Sequence, residues 1–324
     1  MNTRRRISGI WRMSMALLSL GAYTTYFVAQ MRLSILHASY LTLAIVQFVT
    51  LIVYLWGPEK LPSKPLKVLY KLFYASSIFV IPTFAFIFMG LISQYHIRIP
   101  EAIDATDMAA SDIIPGDKTV IYNTGTVYIF FPEYESVELV CENRPSKKDD
   151  SITWCSGAAF QHTVSITFSQ EDVEGDHAVN GMYYASPYNK DSFASFTFAD
   201  KNFGFTFDNT TEAIKSAADA GGSGFMQLAL ISDQQEVMDF NMPRTRCFRT
   251  LAELNGSLCI IDSVNMLHFD EFIAELNRLG VTNAVYMDMG AGWNYSWYRN
   301  TSGRVVTLFG LPVPWSHNWI VFRK

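Results

Sequence analysis

The chain has 324 residues, with 25 lysines and arginines against 30 acidic residues, and it carries no basic stripe. This charge argues against nucleic acid as a partner. The sequence also lacks a phosphate-binding P-loop, a dinucleotide glycine motif and metal-ligand spacing, so we predict no cofactor and no metal. The length suggests about two domains, and nothing in the composition identifies a protein partner.

Three uncharged N-terminal segments predict an all-α bundle of transmembrane helices at about 13–31, 36–56 and 72–95. Each has about the 20 apolar residues that a helix needs to cross a bilayer. A signal peptide is the alternative for the first segment, although no clear cleavage site follows it. Residues 1–97 are therefore predicted to be a membrane anchor whose partner is the lipid bilayer.

Basic residues predict the orientation of this anchor. Four arginines precede the first span, and four lysines lie between the second and third spans. Because basic loops stay on the cytoplasmic side, the N-terminus is predicted to be cytoplasmic. Three spans then place everything after residue 98 on the periplasmic or extracellular side, as in a protein of a bacterial inner membrane.

Residues 98–118 are rich in Pro, Ala, Ser and Asp and predict a linker, followed by one globular domain at 119–324. All four cysteines lie in this domain. In an oxidising compartment they permit two disulfides with three possible pairings, and four reduced thiols are the alternative.

The globular domain shows both strand and helix patterns, so we predict an α+β fold with a mixed sheet. Helices are predicted at 210–222 and 268–280, each ended by glycine. An Asn-Gly turn within 249–263 predicts a β-hairpin. The other predicted strands, from alternating apolar and polar residues, are at 126–131, 137–141, 162–169, 225–232, 281–287, 305–310 and 318–324.

Three motifs in this order resemble the phosphodiester glycosidase domain family. They are AVNGMYYA (178–185), RTLAELNG (249–256) and VTNAVYMDMGAG (281–292), and the resemblance covers about residues 120–324. It implies a glycoside hydrolase that cleaves a sugar-1-phosphodiester or a related envelope glycan linkage. Its substrate would be a carbohydrate or sugar phosphate.

The resemblance places residues of this chain on the motif positions of the family. Asn180 and Gly181 match its Asn-Gly pair, Arg249 and Thr250 match its Arg-Thr pair, and Asp288 matches its acid. We expect the stretches around these residues to converge on one cleft.

Cleavage of a sugar from phosphate develops positive charge on the ring and negative charge on the phosphate. A carboxylate can stabilise the ring or act as acid, base or nucleophile, and the fork of an arginine matches phosphate oxygens. The predicted catalytic residues are Asp288, Arg249, Glu253 and His177. The predicted substrate-binding residues, which supply amides, an open backbone and an aromatic platform, are Asn180, Gly181, Thr250, Gly290, Gly292, Trp293 and Asn294.

Each residue also has a structural interpretation. Asp288 can cap a turn and Asn180 can form one, while Arg249 can pair with Glu253 or Asp262. His177 and the Trp/Tyr cluster at 293–298 can belong to the core. The family's Asp-Gly-Gly-Gly-Ser-Ser is Asp-Met-Gly-Ala-Gly-Trp in this chain. A non-catalytic glycan-binding or scaffold module on the same fold is therefore the alternative function.

Overall fold

The computed structural model describes residues 99–162, 169–237, 245–289, 295–310 and 317–324. The three predicted spans lie outside these residues, so the anchor and its orientation stay predictions. Neither helix in the described ranges has the length and apolar composition required to cross a membrane.

The described residues form two α-helices, α1 (Thr210–Asp219) and α2 (Phe269–Arg278), and seventeen strands. In chain order the strands are β1 (Ile103–Asp104), β2 (Val120–Asn123), β3 (Val127–Phe131), β4 (Ser136–Cys141), β5 (Ile152–Gly157), β6 (His177–Val179), β7 (Met182–Tyr184), β8 (Phe193–Ala199), β9 (Asn202–Thr206), β10 (Ser223–Ser232), β11 (Gln235–Glu236), β12 (Arg249–Leu254), β13 (Ser257–Ser263), β14 (Asn283–Tyr286), β15 (Tyr295–Arg299), β16 (Val305–Gly310) and β17 (Asn318–Arg323).

Two sheets organise these strands. The larger has twelve strands, in the order β1-β2-β3-β13-β12-β14-β10-β6-β7, with β8 and β11 also pairing with β10, and β9 pairing with β8. The β1–β2 pair is parallel and the other pairs are antiparallel. The smaller sheet is antiparallel, in the order β16-β15-β5-β17-β4. The predicted mixed-sheet α+β domain is confirmed.

The larger sheet is buried on both faces. One face packs on the helices, where the rings of Phe248 and Phe272 stack with centroids 5.1 Å apart. The other face packs on the smaller sheet, where the rings of Phe130 and Trp154 lie 4.8 Å apart. The domain therefore has three layers, with the larger sheet in the middle.

Several local predictions are confirmed. The hairpin of β12 and β13 turns at Asn255 and Gly256, whose φ angles of 52° and 71° are those of a type I′ turn. Helix α2 buries the apolar face that its 3.6-residue period predicts. Most of the strand predicted at 162–169 lies outside the described residues.

The segment predicted to be a linker packs against the domain from residue 99 onward. Strand β1 pairs with β2, and the side chains of Ala105 and Ile113 are fully buried. Its Pro, Ala, Ser and Asp content reflects a lack of regular structure more than a lack of contact.

None of the four cysteines, all of which are described, forms a disulfide. Cys141 and Cys155 lie on β4 and β5, and β17 runs between these strands. Cys259 lies opposite Ala252, whereas Cys247 precedes β12. Strand pairing therefore separates both of the sequence-adjacent pairs.

Candidate active site

Strands β12 and β14 carry the two predicted catalytic motifs side by side, with Thr250 opposite Tyr286. The Met287 N–H donates to the Arg249 carbonyl at 3.0 Å, which continues the pairing by one residue. Successive side chains of a strand point to opposite faces. Arg249 and Met287 therefore face the smaller sheet, and Asp288 follows on the opposite face. The expected meeting of the Arg249 and Asp288 side chains is wrong for this reason.

Arg249 forms a buried ion pair inside the sandwich. Its side chain is fully buried, and its Nε donates to Asp262 Oδ1 at 2.5 Å while Nη2 contacts the other carboxylate oxygen. The guanidinium carbon lies 5.3 Å from the ring centre of Trp154 on the smaller sheet. This is the structural role given above as the alternative, with Asp262 and not Glu253 as the partner.

Thr250 and Glu253 hold β12 against β14. The buried Thr250 hydroxyl donates to the Val285 carbonyl at 2.6 Å. The Glu253 carboxylate accepts from the Asn283 amide at 2.7 Å, at the end of β12 farther from Asp288. These hydrogen bonds give both side chains a structural role within the sheet.

His177 is fully buried at the start of β6. Its Nδ1 lies 3.2 Å from the Gly175 carbonyl and its Nε2 lies 2.8 Å from Gln170 Oε1. Burial lowers the pKa of the imidazole, although Gly175 and Asp176 act in the opposite direction. The full burial of the ring, with both nitrogens at hydrogen-bond distance from neighbouring groups, supports the structural interpretation of His177.

Asn180 and Gly181 form the tight turn between β6 and β7, with φ angles of 46° and 84°. The Asn180 N–H donates to Ser223 Oγ at 3.2 Å, at the first residue of β10. Strand β14 pairs with β10 at Ala229 and Ile231, toward the other end. The described contacts do not test the predicted convergence of Asn180 with Asp288, which stays a prediction.

The four remaining predicted substrate-binding residues, Gly290, Gly292, Trp293 and Asn294, lie outside the described residues. The described part of the aromatic cluster, Tyr295, Trp297 and Tyr298, is buried on β15. In the described ranges, no group of three or more His, Cys, Asp or Glu residues is arranged to hold a metal ion.

Two residues that the sequence analysis did not select, Tyr286 and Arg246, lie in the region of Asp288: the charge of Asp288 acts on the Tyr286 phenol, and Arg246 hydrogen bonds to it. Burial raises the pKa of Tyr286 to about 12, and the negative charge of Asp288 adds to the rise. Arg246 opposes the rise through its charge and a side-chain hydrogen bond to the phenol. The Tyr286 phenol therefore lies on the helix-facing side of the sheet with a guanidinium hydrogen-bonded to it and the charge of a carboxylate acting on it.

The backbone fixes this group from two directions. The N–H groups of Arg246 and Leu267 each donate to the carbonyl of the other at 2.9 Å. The Asp288 N–H donates to the Ala158 carbonyl at 3.0 Å. Both charged residues thus sit just beyond the ends of strands, held by short backbone bridges.

An aromatic ring and a further cation lie beside Tyr286. The half-buried Phe160 ring is 5.6 Å from that of Tyr286 and 6.5 Å from that of Phe193. Lys190 Nζ lies 5.7 Å from the Phe160 ring centre and pairs with the Glu174 carboxylate. The region around Asp288 therefore offers an apolar platform next to positive charge.

Only the strand register distinguishes Arg246 from Arg249. Both lie within the stretch TRCFR (245–249), and nothing in that stretch marks one of them as the functional arginine. Once Thr250 is placed opposite Tyr286, alternation puts Arg246, Phe248 and Thr250 on the face of Asp288. The sequence alone does not specify this register.

No family model matches the chain, and no curated protein matches it. Among solved structures, the chain is similar to the catalytic domain of zebrafish N-acetylglucosamine-1-phosphodiester α-N-acetylglucosaminidase, auto-inhibited by its pro-peptide. The sequence identity is 10% and the TM-score is 0.42, over 64% of this chain and 81% of that chain. A similarity of this degree indicates a distant fold relationship at most.

Proposed function

We propose that the chain is a glycosidase that hydrolyses a sugar-1-phosphodiester or a related envelope glycan linkage, with Asp288 as its central carboxylate. The observation that carries the proposal is the position of Asp288 just beyond β14, two residues after Tyr286, whose phenol Arg246 engages by a side-chain hydrogen bond. The resemblance of the segment at 281–292, which contains Asp288, to a motif of phosphodiester glycosidases suggests the same reaction class.

The charges match those that develop in the reaction. The sugar ring becomes positive as the bond to phosphate breaks, and the Asp288 carboxylate stabilises it or attacks the anomeric carbon. The phosphate departs as an anion, and the Arg246 guanidinium binds its oxygens. The Tyr286 phenol is protonated at neutral pH, as any tyrosine with a pKa of about 10 or above is, and it can donate a hydrogen bond.

The neighbouring residues provide contacts for the rest of the substrate. The Phe160 ring presents an apolar surface on which a sugar face can stack. Lys190, which pairs with Glu174 and lies over the Phe160 ring, can donate a hydrogen bond to a phosphate oxygen. A phosphate leaving group is already a stable anion, so its departure does not require a second carboxylate as proton donor.

The test is a hydrolysis assay of the full-length chain on a panel of glycosyl-1-phosphodiesters. Wild type is compared with Asp288→Asn, Arg246→Gln and the control Arg304→Gln, which changes an exposed arginine on another part of the surface. We expect a loss of at least about 100-fold for Asp288→Asn and about 10- to 100-fold for Arg246→Gln, with the control unchanged.

A wild-type chain that is inert across the panel would overturn the proposal. If that inert chain still binds glycans, the non-catalytic glycan-binding module becomes the function that fits. Equal activity of wild type and Asp288→Asn would remove Asp288 from the reaction.

A further inference from the structure

A cleft of about 520 Å³ lies away from Asp288 in the fold. It is bounded by the β6–β7 turn, the β8–β9 turn, the end of α1 and the ends of β4 and β17. Neither Asp288 nor Arg246 lines it. Its volume falls within the range of about 300–1,000 Å³ that is usual for small-molecule sites.

Tight backbone packing fixes one wall of this cleft. The Gly181 N–H donates to the Gly222 carbonyl at 2.8 Å. A Cβ atom on Gly222 would lie 2.3 Å from the Phe198 carbonyl oxygen, so only glycine fits there. Asn180, at the adjacent turn position, is thereby held in a fixed backbone conformation while its side chain stays exposed.

Two polar side chains at the mouth of the cleft can still form hydrogen bonds to a ligand. Asn180 Oδ1 accepts only a long bond of 3.4 Å from Ser223, and its amide nitrogen donates to no other described residue. Lys201 is exposed, and in the described part of the chain it forms no ion pair. An amide and an ammonium group are therefore available at two neighbouring hairpin turns.

The charges that line the cleft balance. Three acidic and three basic residues line it, namely Glu135, Glu138, Asp200, Lys201, Arg323 and Lys324. Arg323 is already engaged by Glu138 at 2.8 Å and by Asp149 at 2.7 Å. A site with both signs of charge and no excess of either favours a neutral ligand that both donates and accepts hydrogen bonds over an anion or a cation.

We propose that this cleft binds an uncharged saccharide through its hydroxyl groups. The Asn180 amide and the Lys201 ammonium donate to sugar oxygens, and the carboxylates of Glu135 and Asp200 accept from sugar hydroxyls. The site is separate from the catalytic proposal and does not depend on it.

The test uses the full-length chain carrying Asp288→Asn, so that no probe is hydrolysed. Neutral tetrasaccharides of glucose, mannose, galactose and N-acetylglucosamine are titrated by calorimetry, and hydrogen exchange locates the bound sugar. We expect at least one to bind and to protect the turns at 180–181 and 200–201. Asn180→Asp, which keeps a residue suited to the left-handed turn, weakens binding by at least 10-fold, and Lys201→Gln weakens it several-fold.

The matched control is Asp233→Asn, at the exposed turn between β10 and β11, where φ is 46° as at Asn180. It is expected to leave the affinity unchanged. Failure of all four tetrasaccharides to bind, unchanged affinity in Asn180→Asp, or protection confined to the segment around Asp288 would each overturn the proposal. An inactive wild type in the hydrolysis assay bears on the catalytic proposal alone.

Discussion

Arg246 and Arg249 are three residues apart in the chain and have different environments. Arg249 is sealed between the two sheets with Asp262, whereas Arg246 is half-buried beside Tyr286. A buried ion pair whose partner is removed leaves an uncompensated charge, while a partly exposed arginine can be replaced with little effect on folding. Substitution at the two positions should therefore separate stability from activity.

We expect Arg249→Met to lower the free energy of unfolding by about 3–5 kcal/mol, because Asp262 would remain buried without its partner. Arg249→Met combined with Asp262→Leu should recover much of this loss. Chemical denaturation of the single and double variants measures both effects. A single variant as stable as wild type would contradict the assignment of Arg249 to the core.

Besides the Arg249–Asp262 pair, the buried Asp176 carboxylate is the centre of a second hydrogen-bond network. Its carboxylate accepts hydrogen bonds from Thr211 at 2.6 Å, Tyr183 at 2.9 Å and Asn189 at 2.9 Å, and from a backbone N–H. Burial acts to raise the pKa of Asp176, but these hydrogen bonds together outweigh it, and the pKa is lowered. The ionised carboxylate therefore ties β6, β7 and α1 together.

The lowered pKa predicts a pH dependence of stability. The unfolded carboxyl has a pKa of about 3.9, so the contribution of Asp176 is fully present above that value and disappears as pH falls through the lower folded value. At pH 7 we expect Asp176→Asn to cost about 1.5–3 kcal/mol. Denaturation at pH 7 and pH 3 should show a smaller difference between wild type and variant at pH 3. Asp117→Asn, at an exposed aspartate, is the control.

At the scale of elements, the junction between α1 and β10 depends on Gly222. A Cβ there would also lie 2.7 Å from the Ala199 Cβ, so β8 would have to move. We expect Gly222→Ala to lower stability by about 2–3 kcal/mol through overpacking. Gly256→Ala adds a Cβ with no atom within 4 Å and should cost only about 1 kcal/mol of backbone strain. Thermal unfolding compares the two variants, and equal losses would contradict the close packing at Gly222.

Strand order also determines the state of the cysteines. Cys141 and Cys155 are separated by a whole strand, well beyond the Cα distance of about 7 Å that a disulfide spans. We expect four alkylated thiols by mass spectrometry after denaturation without reductant, and no change in Tm on adding dithiothreitol. Burial raises the pKa of the Cys141 thiol to about 12 and that of Cys247 to about 11, so labelling of the folded chain should be slow. A chain in which only two cysteines are alkylated would contain a disulfide, and that result would contradict the strand order.

At the scale of the whole molecule, sequence patterns located most of the long elements but not their arrangement. The Asn255-Gly256 turn and the apolar face of α2 are local signals, and both were predicted. The sequence left Arg249 open between a catalytic and a structural role, because the choice depends on which residue of β13 lies opposite it. Arg246 was missed because the face on which it lies depends on the pairing of β12 with β14. Such pairings join residues far apart in the chain, and local periodicity does not encode them.

The predicted anchor gives the last testable expectation. Three spans with a cytoplasmic N-terminus place residue Lys324 outside the cytoplasm. An alkaline phosphatase fused after Lys324 should therefore be active in bacteria, and a fluorescent protein fused there should be dark when exported unfolded. A silent phosphatase with a bright fluorescent fusion would overturn the orientation.

The alternation of β14 has a consequence for changes in its length. Val285 and Met287 lie in the apolar layer between the sheets, while Tyr286 and Asp288 lie on the other side. One residue inserted after Asn283 would carry the carboxylate into that apolar layer and turn a methionine toward the helix-facing side. Two inserted residues would restore the original sides. Whether the number of inserted residues is odd or even, more than how many there are, should decide whether Asp288 stays on the helix-facing side of the sheet.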